Sequence, residues 1–231
     1  MRKNLVLLTI ICLLPLQSVF AQKQPVIKLG LKFSPDLSFI SPSTQGYSSN
    51  GVKFGGVVGL ISDFYFAEHY AISTGFNFSF LGGKITYSDK TITDKQDTLT
   101  GITDNNLSFV YIEIPLMIKM FTKKFGRFSF FGQIGFGTGF RIIARAKTDF
   151  IGDKGYVSNE QFDYKSETTT IRESVIVGLG TEFNLDQSTR LFIGFDYSNS
   201  LNNILKGYNF KSGLNQKAYL NYAELNLGIM F

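Results

Sequence analysis

The chain has no tryptophan, one cysteine, one histidine and five prolines in 231 residues. Each scarcity excludes something. A lone cysteine builds no disulfide framework, and Cys12 falls in the apolar opening segment, so the remainder has neither a disulfide nor a thiol nucleophile. A single histidine without other cysteines leaves a transition-metal site short of donors. Charged residues are sparse at 18% against 44% apolar, which excludes a disordered chain. The net charge of +5 comes without a Lys/Arg run, so no nucleic-acid partner is expected. What the chain does have is 24 Phe, 11 Tyr and 23 Gly, the glycines without a collagen-like period.

The opening segment reads as an address rather than as structure. Arg2 and Lys3 precede an apolar stretch from Leu5 to Leu16, and Val19 and Ala21 supply permissive residues at −3 and −1. This is the pattern of a secretory signal peptide, residues 1–21, removed to leave Gln22 first. The stretch is too short for a membrane helix, which needs about 20 residues. A lipoprotein leader is the alternative because of Cys12, but that residue follows Ile10-Ile11 rather than small side chains. Residues 22–231 are expected to form one domain, with the net charge lowered by the loss of Arg2 and Lys3.

Along this remainder the apolar period is two, not 3.6. Alternating segments at 26–34, 52–66, 71–88, 107–121, 128–148, 168–185, 190–200 and 217–231 predict eight strands. In 107–121, Val110, Ile112, Ile114, Leu116, Ile118 and Met120 share one face, opposite Tyr111, Glu113, Pro115, Met117 and Lys119. In 168–185, Ile171, Val175, Val177, Leu179 and Phe183 oppose Arg172, Ser174, Gly178, Gly180 and Glu182. The strands make up well over half of the remainder, far above the roughly 20–25% of an ordinary soluble domain.

The two faces settle which way the sheet turns. Bulky Phe, Ile and Leu on one face of nearly every strand exceed what one small core can absorb, while the other face carries glycine and isolated charges of both signs. That is the inverted pattern of a transmembrane barrel, apolar outward and polar inward. The breaks at 35–51, 67–70, 89–106, 122–127, 149–167, 186–189 and 201–216 alternate long and short without exception. Outer-membrane barrels alternate in this way, with long external loops and short periplasmic turns. Phe64, Phe66, Phe128, Phe183 and Phe231 then fall at the periplasmic end of the lipid face, as an aromatic girdle would. The expected fold is an all-β, eight-stranded, antiparallel up-and-down transmembrane β-barrel in the cell outer membrane of a Gram-negative envelope.

Tyr111-Ile112-Glu113-Ile114-Pro115-Leu116-Met117-Ile118-Lys119 resembles the Y-x-E-I-P-L-x-x-K strand of PorT-type outer-membrane β-barrel proteins. Lys28 to Ser34 is similar to that family's G-L-K opening strand, and Gly135 to Gly139 to its fifth strand. The similarity runs through the whole chain after the leader. It implies a single-domain eight-stranded barrel inserted by the barrel-assembly machinery. The founding member is associated with export of surface proteins through a secretion and gliding apparatus, a role the motif alone does not transfer. The terminal Phe231, preceded by Ile229, Leu227 and Leu225 at alternate positions, resembles the assembly signal; the other reading is the apolar face of a last strand.

The inward charges are expected to be Asp63, Glu113, Lys119, Arg141, Arg145, Arg172, Glu182, Asp196 and Glu224. An eight-stranded barrel leaves an interior only wide enough for side chains. Glu113, Glu182, Asp196 and Glu224 would therefore interleave with Lys119, Arg141, Arg145 and Arg172 as a plug of ion pairs; a proton path or catalytic carboxylate pair is the other reading. His69 falls in a short periplasmic turn, away from the external rim where a barrel hydrolase needs its base. Asp89, Asp94, Asp97 and Asp104 lack the D-x-D-x-D-G spacing of a calcium loop. Gly135, Gly137 and Gly139 lack the following helix of a phosphate cradle. Pro115, without an N–H, should mark a bulge or a break in the ladder.

No catalytic residue, metal or cofactor is expected. The partners expected are outer-membrane lipid, the assembly machinery and envelope or secretion-complex proteins, around a monomeric barrel. Function reads first as a structural, docking or interaction role, then as a narrow pore, and more distantly as an enzyme. The protein is expected to start at Gln22, to fractionate with the outer membrane, and to migrate faster on gels when unheated. N-terminal sequencing and a heated/unheated gel pair check this; recovery in the soluble periplasm would sink the inverted-face argument.

Overall fold

The computed structural model describes residues 27–92, 98–152, 157–186, 188–209 and 212–231. The expected leader and its expected cleavage site, Asp94, Asp97 and the side chain of Asp89 lie outside the described residues. The elements are all strands: β1 (Ile27–Pro42), β2 (Tyr47–Ser49), β3 (Lys53–Ala67), β4 (Tyr70–Ile92), β5 (Thr98–Phe121), β6 (Phe128–Gly152), β7 (Val157–Asp163), β8 (Ile171–Asn184), β9 (Arg190–Ser200), β10 (Tyr208–Asn209), β11 (Leu214–Asn215) and β12 (Ala218–Met230).

Eight of them, β1, β3, β4, β5, β6, β8, β9 and β12, close an antiparallel ring in which chain neighbours are sheet neighbours. The seam runs from Gly30↔Met230 to Pro42↔Ala218, and Phe231 N–H donates to Leu29 O at 2.7 Å just beyond it. Three short turns lie at one end, around Glu68-His69, 122–127 and the described residues 185, 186, 188 and 189. In the last, Asp186 accepts from the backbone N–H groups of Thr189 and Ser188, both at 2.8 Å. Those bonds hold its carboxyl below the usual carboxylate range.

The strands reach further at the other end than the alternation predicted. β1 continues past 34 to Pro42, and β4 and β5 pair out to Ile92↔Thr98 through what reads as a loop at 89–106. β7 lies inside the expected break 149–167, added to the end of β6. These stretches carry Ser, Thr, Asn and Asp, a loop composition when the apolar face is taken to be the outward one.

Outward on the barrel lie Leu31, Phe33, Leu60, Phe76, Phe78, Ile114, Leu116, Phe136, Leu179 and Phe195, all exposed. On β5 the apolar belt runs from Val110 to Met120, about 33 Å of extended strand. At a tilt of roughly 40° that is about 25 Å of height, the thickness of an outer-membrane apolar band. Four of the girdle residues, Phe64, Phe66, Phe128 and Phe231, are exposed at the short-turn end, and Phe128 packs on the half-buried Phe183 with ring centroids 4.9 Å apart.

Beyond the belt the pattern reverses. Ile40, Leu81, Ile85, Tyr87, Leu107, Phe109, Tyr111, Ala144 and Ala146 point inward and are buried, while Lys84, Arg145 and Lys147 face out. The upper wall is built like a soluble barrel, apolar inside and polar outside. Ile204 and Leu205, from the connection after β9, complete this core with no more than 1% exposure. Their segment is tied across the mouth by Thr169 N–H to Ile204 O at 2.9 Å and Lys206 N–H to Glu167 O at 2.7 Å.

Candidate functional site in the barrel interior

Alternation on the staves carries a chain of acidic and basic side chains into the lumen, in three tiers. Nearest the short turns, Lys119 Nζ lies 3.1 Å from both Asp63 Oδ2 and Glu182 Oε1, and Arg190 Nη1 lies 3.0 Å from Glu182 Oε2. Arg190 also donates to Tyr65 OH at 3.2 Å, and the Lys119 ammonium stands 4.2 Å from the Phe131 ring centroid.

In the middle tier, Lys32 Nζ pairs with Glu224 Oε1 at 2.8 Å. Asp196 accepts both its bonds from Gln133 Nε2, at 2.7 and 2.9 Å. Gly178 makes room for that carboxylate, since a Cβ there would sit 1.7 Å from Asp196 Oδ1. Register sets Asp36 opposite Glu224, and Glu224 opposite Asp196, so three acids form one row. Among the described residues, neither oxygen of Asp36 nor Glu224 Oε2 meets a protein hydrogen-bond partner. Two voids of about 30 and 20 Å³ adjoin this tier, each room for a single water.

The top tier is the Glu113–Arg172 pair. Arg172 Nη1 donates to Glu113 Oε1 at 2.9 Å, while Nε and Nη2 donate to Leu220 O at 3.0 and 2.9 Å. Nη2 also reaches Ser198 Oγ at 2.9 Å. Glu113 Oε2 accepts from Tyr222 OH at 3.0 Å and from Ser79 Oγ. Arg172 is fully buried, and the apolar core of the mouth begins directly above it.

Seven of the nine expected inward charges, Asp63, Glu113, Lys119, Arg172, Glu182, Asp196 and Glu224, are buried. Arg145 is the correction: it is exposed and faces outward. A β-bulge between Val110 and Tyr111 pairs Val110 with Ile143 and Tyr111 with Arg141, leaving Ile142 as the extra residue. One residue more in a period of two sends every later side chain of β6 to the opposite face. Arg141, just before the bulge, pairs with no acid among the described residues; it donates to Thr169 O at 2.9 Å and Lys165 O at 3.2 Å at the rim.

The expected pairing scheme is also revised. Lys32 and Arg190 take the places given to Arg141 and Arg145, and Asp196 pairs with an amide instead of a base. Lys32 was legible, since it alternates in register with Lys28 and Ser34 on the inward face of β1. Asp36 stood in an expected loop.

Pro115 makes no bulge. It interrupts the β4–β5 ladder at 75–76 and 114–115 with the register unchanged on either side, and Thr74 Oγ1 donates to its carbonyl at 2.7 Å. The inward positions 111, 113, 115 and 119 of the strand motif thus serve the mouth core, the Arg172 pair, the ladder gap and the Lys119 tier. His69 lies in its short turn, where its carbonyl accepts Phe121 N–H at 2.8 Å. Asp104 accepts from Thr86 Oγ1 and, at 3.3 Å, from Asn50 Nδ2.

The ring is closed and antiparallel, its apolar belt is as thick as a bilayer core and its lumen is polar and charged; the profile of the outer membrane protein beta-barrel domain family matches residues 20–206. The chain belongs to that family. It is a protein of the cell outer membrane. Neisserial surface protein A is similar at 11% identity over 87% of this chain and 95% of its own, with a TM-score of 0.45. Ail, the attachment invasion locus protein of Yersinia pestis, is 13% identical over 88% of this chain and 98% of its own, with a TM-score of 0.36. OprG of Pseudomonas aeruginosa is 12% identical over 88% and 93%, with a TM-score of 0.37. No curated protein shows significant sequence similarity to the chain.

Proposed function

We propose that this barrel is a closed structural and docking protein of the envelope, with its long-loop end facing the cell exterior and no reaction catalysed within it. One observation carries the reading: Ile204 and Leu205 fill the mouth from above and complete an apolar core over the Glu113–Arg172 pair. An ion would have to cross that largely apolar core, and a buried unpaired charge is costly. The ion pairs below it hold the staves together from inside. At finer grain, the motif from Tyr111 to Lys119 supports a PorT-type member of the family, without transfer of the founding member's export role.

Two measurements test this. Purified protein in planar bilayers is expected to give no conductance steps, whereas Ile204→Asp with Leu205→Asp opens fluctuating ones; clear selective conductance by the unaltered protein would restore the pore. Orientation is read separately with Val157→Cys on β7, since the chain after the leader carries no other cysteine. A membrane-impermeant thiol reagent is expected to label it in intact cells. Crosslinking in native membranes then identifies what the exposed loops touch.

A further inference from the structure

We propose that the outward face of β3–β6, just above the apolar belt, binds the phosphate groups of a lipid headgroup in the outer leaflet. The bulge in β6 that turns Arg145 outward sets it in one row with Gly82 and Ser108, and sets Lys147 in the next row with Lys84 and Asn106. Lys53 reaches the lower row from β3, its Nζ bonded to Ser108 Oγ and lying 3.3 Å from Asn106 Oδ1. Below these rows the outward residues are Phe80 and Val110, the top of the lipid face. The cations therefore stand at headgroup height.

The patch belongs to one side of the barrel. The outward positions of β1, β8, β9 and β12 carry no lysine or arginine; their bases, Lys28, Lys32, Arg172 and Arg190, are turned into the lumen or its rim. Among the described residues, Lys84, Arg145 and Lys147 take part in no ion pair. The acids nearby are Asp163, Cα partner of Arg145 but 3.8 Å from Lys165 Nζ, and Asp104 and Asp149 in the row above. Beside Arg145 an open recess of about 420 Å³ is walled by Ile143, Gln161, Asp163 and Lys165. It brings the apolar Ile143 beside the cations Arg145 and Lys165, with Asp163 also in its wall; a phosphorylated glycolipid likewise presents acyl chains next to phosphate.

The inference rests on the long-loop end facing outward, which the Val157→Cys labelling reads independently; lipid binding in detergent does not depend on orientation, so the two failures are distinguishable. The test is titration of the detergent-solubilised full chain with diphosphorylated lipid A, dephosphorylated lipid A and inorganic phosphate, followed by native mass spectrometry. Diphosphorylated lipid A is expected to bind, its dephosphorylated form at least about tenfold more weakly, and millimolar phosphate is expected not to displace it. Near an anionic lipid surface each cation is worth about a fivefold change, so Lys84→Gln, Arg145→Gln and Lys147→Gln together should weaken binding roughly 100-fold. Lys123→Gln with Lys124→Gln, at the opposite end, should leave it unchanged. The heated/unheated gel shift confirms folding, and Arg145→Gln alone, expected to weaken binding about fivefold, stands in if the triple variant does not fold. Undiminished binding by the variants, equal loss in the Lys123/Lys124 variant, or displacement by free phosphate would each overturn the proposal.

Discussion

Glu113→Ala is expected to destabilise the barrel by about 3–5 kcal/mol, because it leaves a buried guanidinium without its counter-charge. Arg172 would keep its bonds to Leu220 O and Ser198 Oγ, but those are neutral acceptors inside a fully enclosed space. Ser79 and Tyr222 would also lose the oxygen they share. Urea unfolding in lipid vesicles measures the loss. Glu113→Gln keeps much of the hydrogen bonding and should lie between the two. Replacing both Glu113 and Arg172 by Leu removes the charge and its counter-charge together, and should cost far less than either single change. If Glu113 lined a hydrated path, Glu113→Ala would instead alter ion selectivity and leave unfolding nearly untouched.

Ile114→Arg tests the other face. Ile114 is 44% exposed in the middle of the β5 belt, so the substitution sets a charge near the bilayer midplane. The expected cost is about 2–4 kcal/mol, with impaired insertion in cells. Ser108→Arg, on the same outward face but at the height of Lys84 and Arg145, should cost no more than about 1 kcal/mol because headgroups and water solvate it there. Refolding yield and urea unfolding of the two variants, side by side, decide. Equal tolerance would show that the face or the depth is misassigned.

The inverted faces could be read from β5 and β8 alone. Strand alternation is local: Ile112, Ile114 and Leu116 must share a face, whatever the rest of the chain does, and their partners Glu113 and Lys119 must share the other. The strands outrun the expected loop boundaries for a reason tied to the same pattern. Asp104 and Asn106 look like loop residues only when polar is taken to mean inward or unstructured, and above the membrane it means outward. Ile85, Tyr87 and Leu107 alternate with them, and carried the signal for the upper core.

Sequence by itself determined the strand period, the lipid-facing side and the compartment, because each follows from residues a few positions apart and from the solvent they must meet. Tertiary structure alone decided three further things. It chose Lys32 over Arg145 as an ion-pair partner, since pairing depends on ring register between strands as distant as β1 and β12. It placed the bulge opposite Val110 and Tyr111, one unpaired residue that reverses the faces of β6 beyond it. And it brought Ile204 and Leu205 into the mouth, where burial of their apolar surface closes the barrel.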